Sequence, residues 1–366
     1  MRKGLLNKAL RVVRGVLPFY LLTFLPLPAL ADESVDLAAL YQQIDDAISQ
    51  SPQYVAELEN RIADCRDSLL REKSPEKRIQ LAEELFRLYS PYRNDSALYY
   101  AEQCIGLADS LRRPDLAGRF RSMMAYQCSN SNLYTESIEQ LRLVKKSALD
   151  SIGLVDYYHA WMHVYGELGS YTQREQKRLS YFGQQDAYRD SVLMVADEGS
   201  EEWLHLKVDV LCARQLYQDA LALSKEWLKM VTDGTHESAY AAFYCSMVYD
   251  RLKNHDMTCY WLGRSALDDI KCAVMNQASL LFLAEHLAND GDIDRAVRYV
   301  EFAKACNLAF SPQMRTYQVN SVVNVIEKSS QVSRDQTRII LVFASVIIFL
   351  LLMALIYTIV FYRRRR

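Results

Sequence analysis

The chain has 366 residues, half of them hydrophobic, and a formal net charge of −2 that conceals a sharp segregation. All 45 acids but only 34 of the 43 basic residues fall in 32–338, which leaves that stretch at −11. Such a surface repels phosphate and excludes nucleic-acid binding by this portion of the chain.

Residues 1–15 carry Arg2, Lys3, Lys8, Arg11 and Arg14 and no acid, and an apolar run from Val16 to Leu27 leads to Ala29-Leu30-Ala31. A basic start, a short apolar centre and an A-x-A site predict a secretory signal over 1–31, cleaved after Ala31. An uncleaved anchor is the alternative. Pro18, Pro26 and Pro28 argue against it, because they break the run.

The mature part reads as helix throughout, with no period-2 runs of β-branched residues. Ser51-Pro52, Ser74-Pro75 and Ser311-Pro312 each match a helix start, where the hydroxyl caps a free N–H and proline lacks the one not needed. The spacing therefore predicts one helix over 34–50, with Leu37, Leu40, Tyr41 and Ile44 on one face. A second runs from Pro52 to about Lys73 with a seam of Val55, Leu58, Ile62, Cys65 and Leu69. Together, 32–73 is expected to be a helical hairpin, since the seam is too short to hold an intermolecular coiled coil.

From 74 to 310 the chain reads as helix pairs. In the clearest, Leu280, Leu283, Ala284 and Leu287 precede Gly291, then Ala296, Val300 and Ala303. This resembles a tetratricopeptide repeat, in which small residues let two helices approach while large ones fill the grooves between units. Fainter copies place the small position at 97, 137, 174, 220 and 259, a longer and less regular period than the usual one, as degenerate units or longer turns produce. Segment 311–338 is expected to be a capping helix and a short juxtamembrane stretch.

Residues 339–362 are uncharged and contain neither glycine nor proline. At about 1.5 Å per residue their 24 positions suffice for one transmembrane helix. Arg363, Arg364, Arg365 and Arg366 follow as a membrane stop and a cytosolic tail of 363–366. The expected fold is thus all-α: a tetratricopeptide-like α-solenoid ectodomain plus one C-terminal transmembrane helix.

Chemistry is sparse. No GxSxG, Walker or GxGxxG motif occurs. His159 and His163 stand one turn apart in HAWMH but lack the glutamate of HExxH, so no metal, cofactor or catalytic residue is assigned. Of the eight cysteines, Cys104, Cys128, Cys245, Cys259 and Cys306 occupy positions where alanine fits, which predicts buried free thiols; one or two bridges is the alternative.

The signal, the stretches AISQSPQYVAELENRIADCRDSLL and LFRLYSPYRNDSALYYAEQCIGLA, the degenerate repeats and the single span together resemble the membrane-anchored, tetratricopeptide-like regulators of Bacteroidota. The resemblance implies a non-catalytic binding or sensing module in the bacterial inner membrane. Its repeat domain would be periplasmic, its C-terminus cytosolic, and its role part of envelope signalling or transcription regulation. Members continue past the span into a coiled coil and a DNA-binding end, whereas this sequence stops at Arg366. A chain complete there would act through a partner; a chain cut there would have lost its output module. The expected partner is a protein or peptide of the envelope. The repeat pattern suggests that it meets the inner groove at Arg119, Tyr126, Asn130, Tyr244, Arg251 and Glu285. An envelope enzyme or assembly factor with an unrecognised active site is the alternative.

Overall fold

The computed structural model describes residues 35–310 continuously and single positions between Leu341 and Arg365. The chain divides into residues 1–36, of which Val35 and Asp36 are described, and residues 37–366. The expected signal (1–31) and capping segment (311–338) lie outside the described residues, as does most of 339–362. Leu341, Phe343, Ile347, Ile348 and Met353 are helical and exposed. Among the described residues no helix is long and apolar enough to cross a membrane.

The second unit is all-helical among its described residues. A long helix α1 (Leu37–Arg71) precedes six pairs: α2 (Pro75–Tyr89) with α3 (Asn94–Ser110), α4 (Pro114–Asn130) with α5 (Tyr134–Leu143), and α6 (Ser151–Tyr171) with α7 (Glu175–Val195). Then come α8 (Glu201–Ala213) with α9 (Tyr217–Met230), α10 (His236–Arg251) with α11 (His255–Lys271), and α12 (Ala278–Asp290) with α13 (Ile293–Phe310). Side-chain oxygens of Ser74, Asp150, Ser200 and Thr235 cap the first helices of four of these pairs. The best-matched unit is as expected: Leu280, Leu283, Ala284, Leu287, Ala296 and Ala303 are all buried, and Gly291 turns the chain at φ 92°.

The turns within three of the other pairs use the same geometry without glycine. Asn132, Gln215 and Lys253 stand two residues before the second helix, as Gly291 does, and have φ of 64°, 60° and 60°. In each, the next N–H bonds five residues back: Leu133 to Cys128, Leu216 to Leu211, Asn254 to Tyr249, just as Asp292 bonds to Leu287. These are Schellman caps, and a left-handed non-glycine costs about 1 kcal/mol in each. The period is therefore long because of connections between pairs, at 144–150, 196–200, 231–235 and 272–277, rather than turns within them.

Two expectations need correction. Arg174, placed at a small packing position, is the exposed N-cap of α7, a helix with Val192 as its one buried residue. Nor is 32–73 a hairpin, because α1 runs unbroken through Ser51-Pro52. Its first half buries Leu40, Tyr41, Ile44 and Ala47 against α11, α12 and α13; its second half buries Leu58 and Ile62 in the core shared by α2, α3 and α4. Fully burying four large aliphatic side chains stabilises by roughly 6–12 kcal/mol, against about 3 kcal/mol for an internal proline, so the straight helix prevails.

α1 consequently joins the two ends of the array. Asp45 pairs with Arg295 Nε at 3.3 Å, and Arg298 lies 3.5 Å away. The Tyr299 hydroxyl donates to the Tyr41 carbonyl, and the Met275 N–H donates to the Pro91 carbonyl at 2.8 Å. Gly263 is needed where α11 meets α1, since a Cβ there would stand 2.8 Å from Leu40 Cδ2. Both terminal pairs, whose apolar faces would otherwise be bare, are covered by this one helix. No disulfide links the eight cysteines, and the five expected to be buried are buried.

Candidate functional site

The first helices of successive pairs pack side by side, α4 on α6 and α8 on α10. Ala125, Ala160 and Ala241 are fully buried, so these helices approach closely and their remaining faces converge.

A continuous run of rings results. Tyr126 stacks on His159 with centroids 5.0 Å apart and meets His163 at 4.6 Å. His159 lies 5.6 Å from His205, which meets Tyr240 at 5.6 Å and Tyr244 at 5.5 Å. Trp227 of α9 backs both tyrosines from behind, edge-on to Tyr240. Tyr240 and Tyr244 sit one turn apart, their hydroxyls 3.5 Å from each other. Tyr126 in turn is near enough to act electrostatically on both.

Most of these rings keep some open surface although protein surrounds them, and that sets their charge state. Burial, helped by His159, pulls His205 down to about 3, and burial lowers His159. His205 is therefore neutral. Its Nδ1 donates to the Glu201 carbonyl at 3.0 Å, which leaves Nε2 as an acceptor. Tyr240 and Tyr244 are pushed well up by burial and stay protonated donors. Burial also raises Asp209 to about 6 and Glu201 to about 7, the latter helped by Glu202 and Glu237.

Beside the rings, an ion-pair clamp ties three first helices together. Arg119 of α4 holds Asp156 of α6 at 3.0 Å through Nε and Glu83 of α2 at 3.1 Å through an Nη. Asp156 nevertheless rises to about 6, because burial outweighs the pull of Arg119.

Of the residues expected in the groove, Tyr126 and Tyr244 are brought together in this ring array. Arg119 is occupied by its clamp. Asn130 and Arg251 close α4 and α10, Arg251 exposed, and Glu285 is half-buried on α12; all three lie outside the ring contacts. His205, Tyr240 and Asp209 were not anticipated, and His159 was weighed only as a metal ligand. Their signal was a stripe at helical spacing on first helices: Glu201, His205 and Asp209 on α8, and Glu237, Tyr240 and Tyr244 on α10.

Chemically, the surface offers neutral donors, neutral acceptors and ring faces. His205, pulled down to about 3, is too weak for general-base work near neutrality, whereas Glu201, raised to about 7, falls in the range such a base uses. A separate cleft of about 280 Å³ between α7 and α8, lined by Arg189, Asp190, Lys207 and Arg214 among others, lies apart from this array.

The sequence matches the family described as the SusR N-terminal TPR domain over residues 48–321, about three quarters of the chain. No curated protein matches it.

Proposed function

We propose a sensing role for this chain, which belongs to the family of SusR N-terminal TPR domains, a tetratricopeptide-like regulator family of Bacteroidota. In this reading it is an exported, membrane-anchored, non-catalytic module. A protein or peptide partner binds the inner aromatic–histidine surface, and the event is passed on across the membrane.

The observation that carries the binding role is the array from Tyr126 through His159 and His205 to Tyr240 and Tyr244. Four first helices contribute to it, and its groups are uncharged at neutral pH. Rigid aromatic stems with hydroxyl and imidazole edges are the side chains that interfaces favour at their centres. They suit a segment that presents an apolar or flat group with hydrogen-bonding atoms around it. Arg119 supports the surface by fixing α2, α4 and α6. Asn130, Arg251 and Glu285 would form its rim.

Anchoring is supported by the uncharged stretch 339–362, its exposed apolar side chains at Leu341, Phe343, Ile347 and Ile348, and the arginines that follow. Reporter fusions test it: activity only outside the cytosol after Arg338, and only inside after Arg366. The opposite pattern excludes this orientation.

The binding reading is tested by crosslinking and affinity capture with the full-length chain in membranes. Tyr126→Ala and Tyr244→Ala should each lower recovery of the partner about tenfold, a loss of about 1.4 kcal/mol, while Arg251→Ala changes it less than about twofold. Unchanged capture by the Tyr126→Ala/Tyr244→Ala double variant, with its helical spectrum intact, would show that the surface is not the binding site.

A further inference from the structure

The start of α11 meets the end of α12, and four side chains of ligand type face one another there. His255 and Cys259 stand one turn apart on α11, and His286 and Asp290 one turn apart on α12. His255 Nε2 is 2.8 Å from Asp290 Oδ2 and 3.6 Å from Cys259 Sγ. The rings of His255 and His286 lie 5.2 Å apart. One donor atom each from His255, Cys259 and His286 falls within 4.8 Å of the others.

We propose that His255, Cys259 and His286 bind a divalent transition metal of the zinc class, with Asp290 completing a four-coordinate site.

Ligand chemistry selects that class. Imidazole and thiolate suit Zn²⁺ rather than Mg²⁺ or Ca²⁺, which take oxygen ligands. With bonds of about 2.0–2.3 Å, a tetrahedral zinc holds its donors about 3.4–3.6 Å apart. The His255–Cys259 separation already has that value, and the remaining contraction needs only rotamer changes of the exposed His255 and the half-buried His286. Cys259 loses its thiol proton to solvent on binding, and thiolate plus carboxylate then neutralise the ion.

Cys259 occupies the small position held by Ala97, Ser137, Ala220 and Ala296 in other pairs, where alanine suffices. Its sulfur is within hydrogen-bonding reach of the Tyr41 hydroxyl on α1. A bound ion would therefore link α11 and α12 immediately behind the helix that closes the array, with Tyr41 orienting the thiolate.

The purified full-length chain, titrated with Co²⁺ and then Zn²⁺, tests this. Tetrahedral Co²⁺ with one thiolate gives strong visible bands and a sulfur-to-cobalt charge-transfer band, which Zn²⁺ should abolish as it displaces the cobalt. Cys259→Ala keeps the packing volume that alanine provides in other pairs. It should remove the charge-transfer band and weaken Zn²⁺ binding by more than about a hundredfold, while Asp290→Asn should weaken it by about ten- to a hundredfold. Cys212→Ser, which alters a thiol elsewhere, should change neither. The proposal is overturned if no charge-transfer band forms, if the band survives Cys259→Ala, or if His286→Ala binds Zn²⁺ as tightly as the parent while retaining its helical spectrum.

Discussion

Replacing Ile44 with aspartate is expected to detach the first half of α1 from the last two helix pairs. Ile44 has no exposed surface and lies in the core with Leu40, Leu262, Ala266, Leu280 and Leu283. The substitution removes about 2–3 kcal/mol of apolar burial and places an unpaired carboxylate where several kcal/mol are lost if it stays charged. The total, above about 5 kcal/mol, rivals the whole stability of an ordinary domain. In a repeat array the damage stays near the altered interface, because each unit touches mainly its neighbours. Amide exchange should therefore accelerate in 37–50 and in α11, α12 and α13, while α4 and α6 remain protected. Ile44→Val, at about 0.5–1.5 kcal/mol, should leave the pattern unchanged. Uniform acceleration, or none, would show that α1 does not hold the ends together.

The second large effect is expected at Arg119, and it depends on pH. Arg119→Ala leaves Asp156 and Glu83 facing each other without their shared cation. Removing one member of a buried pair costs about 3–5 kcal/mol; these side chains keep 19–27% of their surface, so about 2–3 kcal/mol is expected at pH 8. Burial already raises Asp156 from 3.8 to about 6, and loss of Arg119 raises it further. A carboxyl raised in the folded state costs stability that builds up between its unfolded and folded values and is complete above the folded one, so losing Arg119 adds cost only above the parent's folded value. At pH 5 the loss should fall below about 1 kcal/mol, because Asp156 is then neutral and needs no partner. Chemical denaturation at both pH values, repeated in an Asp156→Asn background, provides the check. A loss of the same size at pH 5 and pH 8 would assign the effect to packing of the arginine stem. This outcome also separates Arg119 from Tyr126 and Tyr244: substituting Arg119 weakens the fold, and substituting the tyrosines weakens binding.

How much was legible differs from element to element. Ser74-Pro75 reads as a helix start and is one: Ser74 Oγ accepts from the Lys77 N–H at 3.5 Å. Ser51-Pro52 is the same dipeptide and starts nothing, because both halves of α1 have cores to fill and only a straight helix reaches both. The unit from Leu280 to Ala303 carries its turn glycine and is plain. The turns at Asn132, Gln215 and Lys253 carry no glycine; asparagine is a weak mark of left-handed geometry, whereas at Gln215 and Lys253 that geometry emerges only from the five-residue hydrogen bonds. At the candidate site, Tyr126 and Tyr244 stood out because they lie between packing residues. Their meeting needed α6 and α8 to carry His159 and His205 between them.

The sequence by itself determined the helical content, the pairing of helices from Ser74 onward and the segregation of charge. These follow from residues within about four positions of one another and from composition, which any contiguous stretch displays. Only the tertiary structure decided that α1 is a single helix joining both ends of the array, that Arg119 is a clamp, and that two helices present His255, Cys259, His286 and Asp290 to one point. Those outcomes rest on pairs such as Asp45 with Arg295, 250 residues apart, and Arg119 with Asp156, 37 apart. At such distances no local period specifies a partner; the curvature accumulated over successive helix pairs selects it.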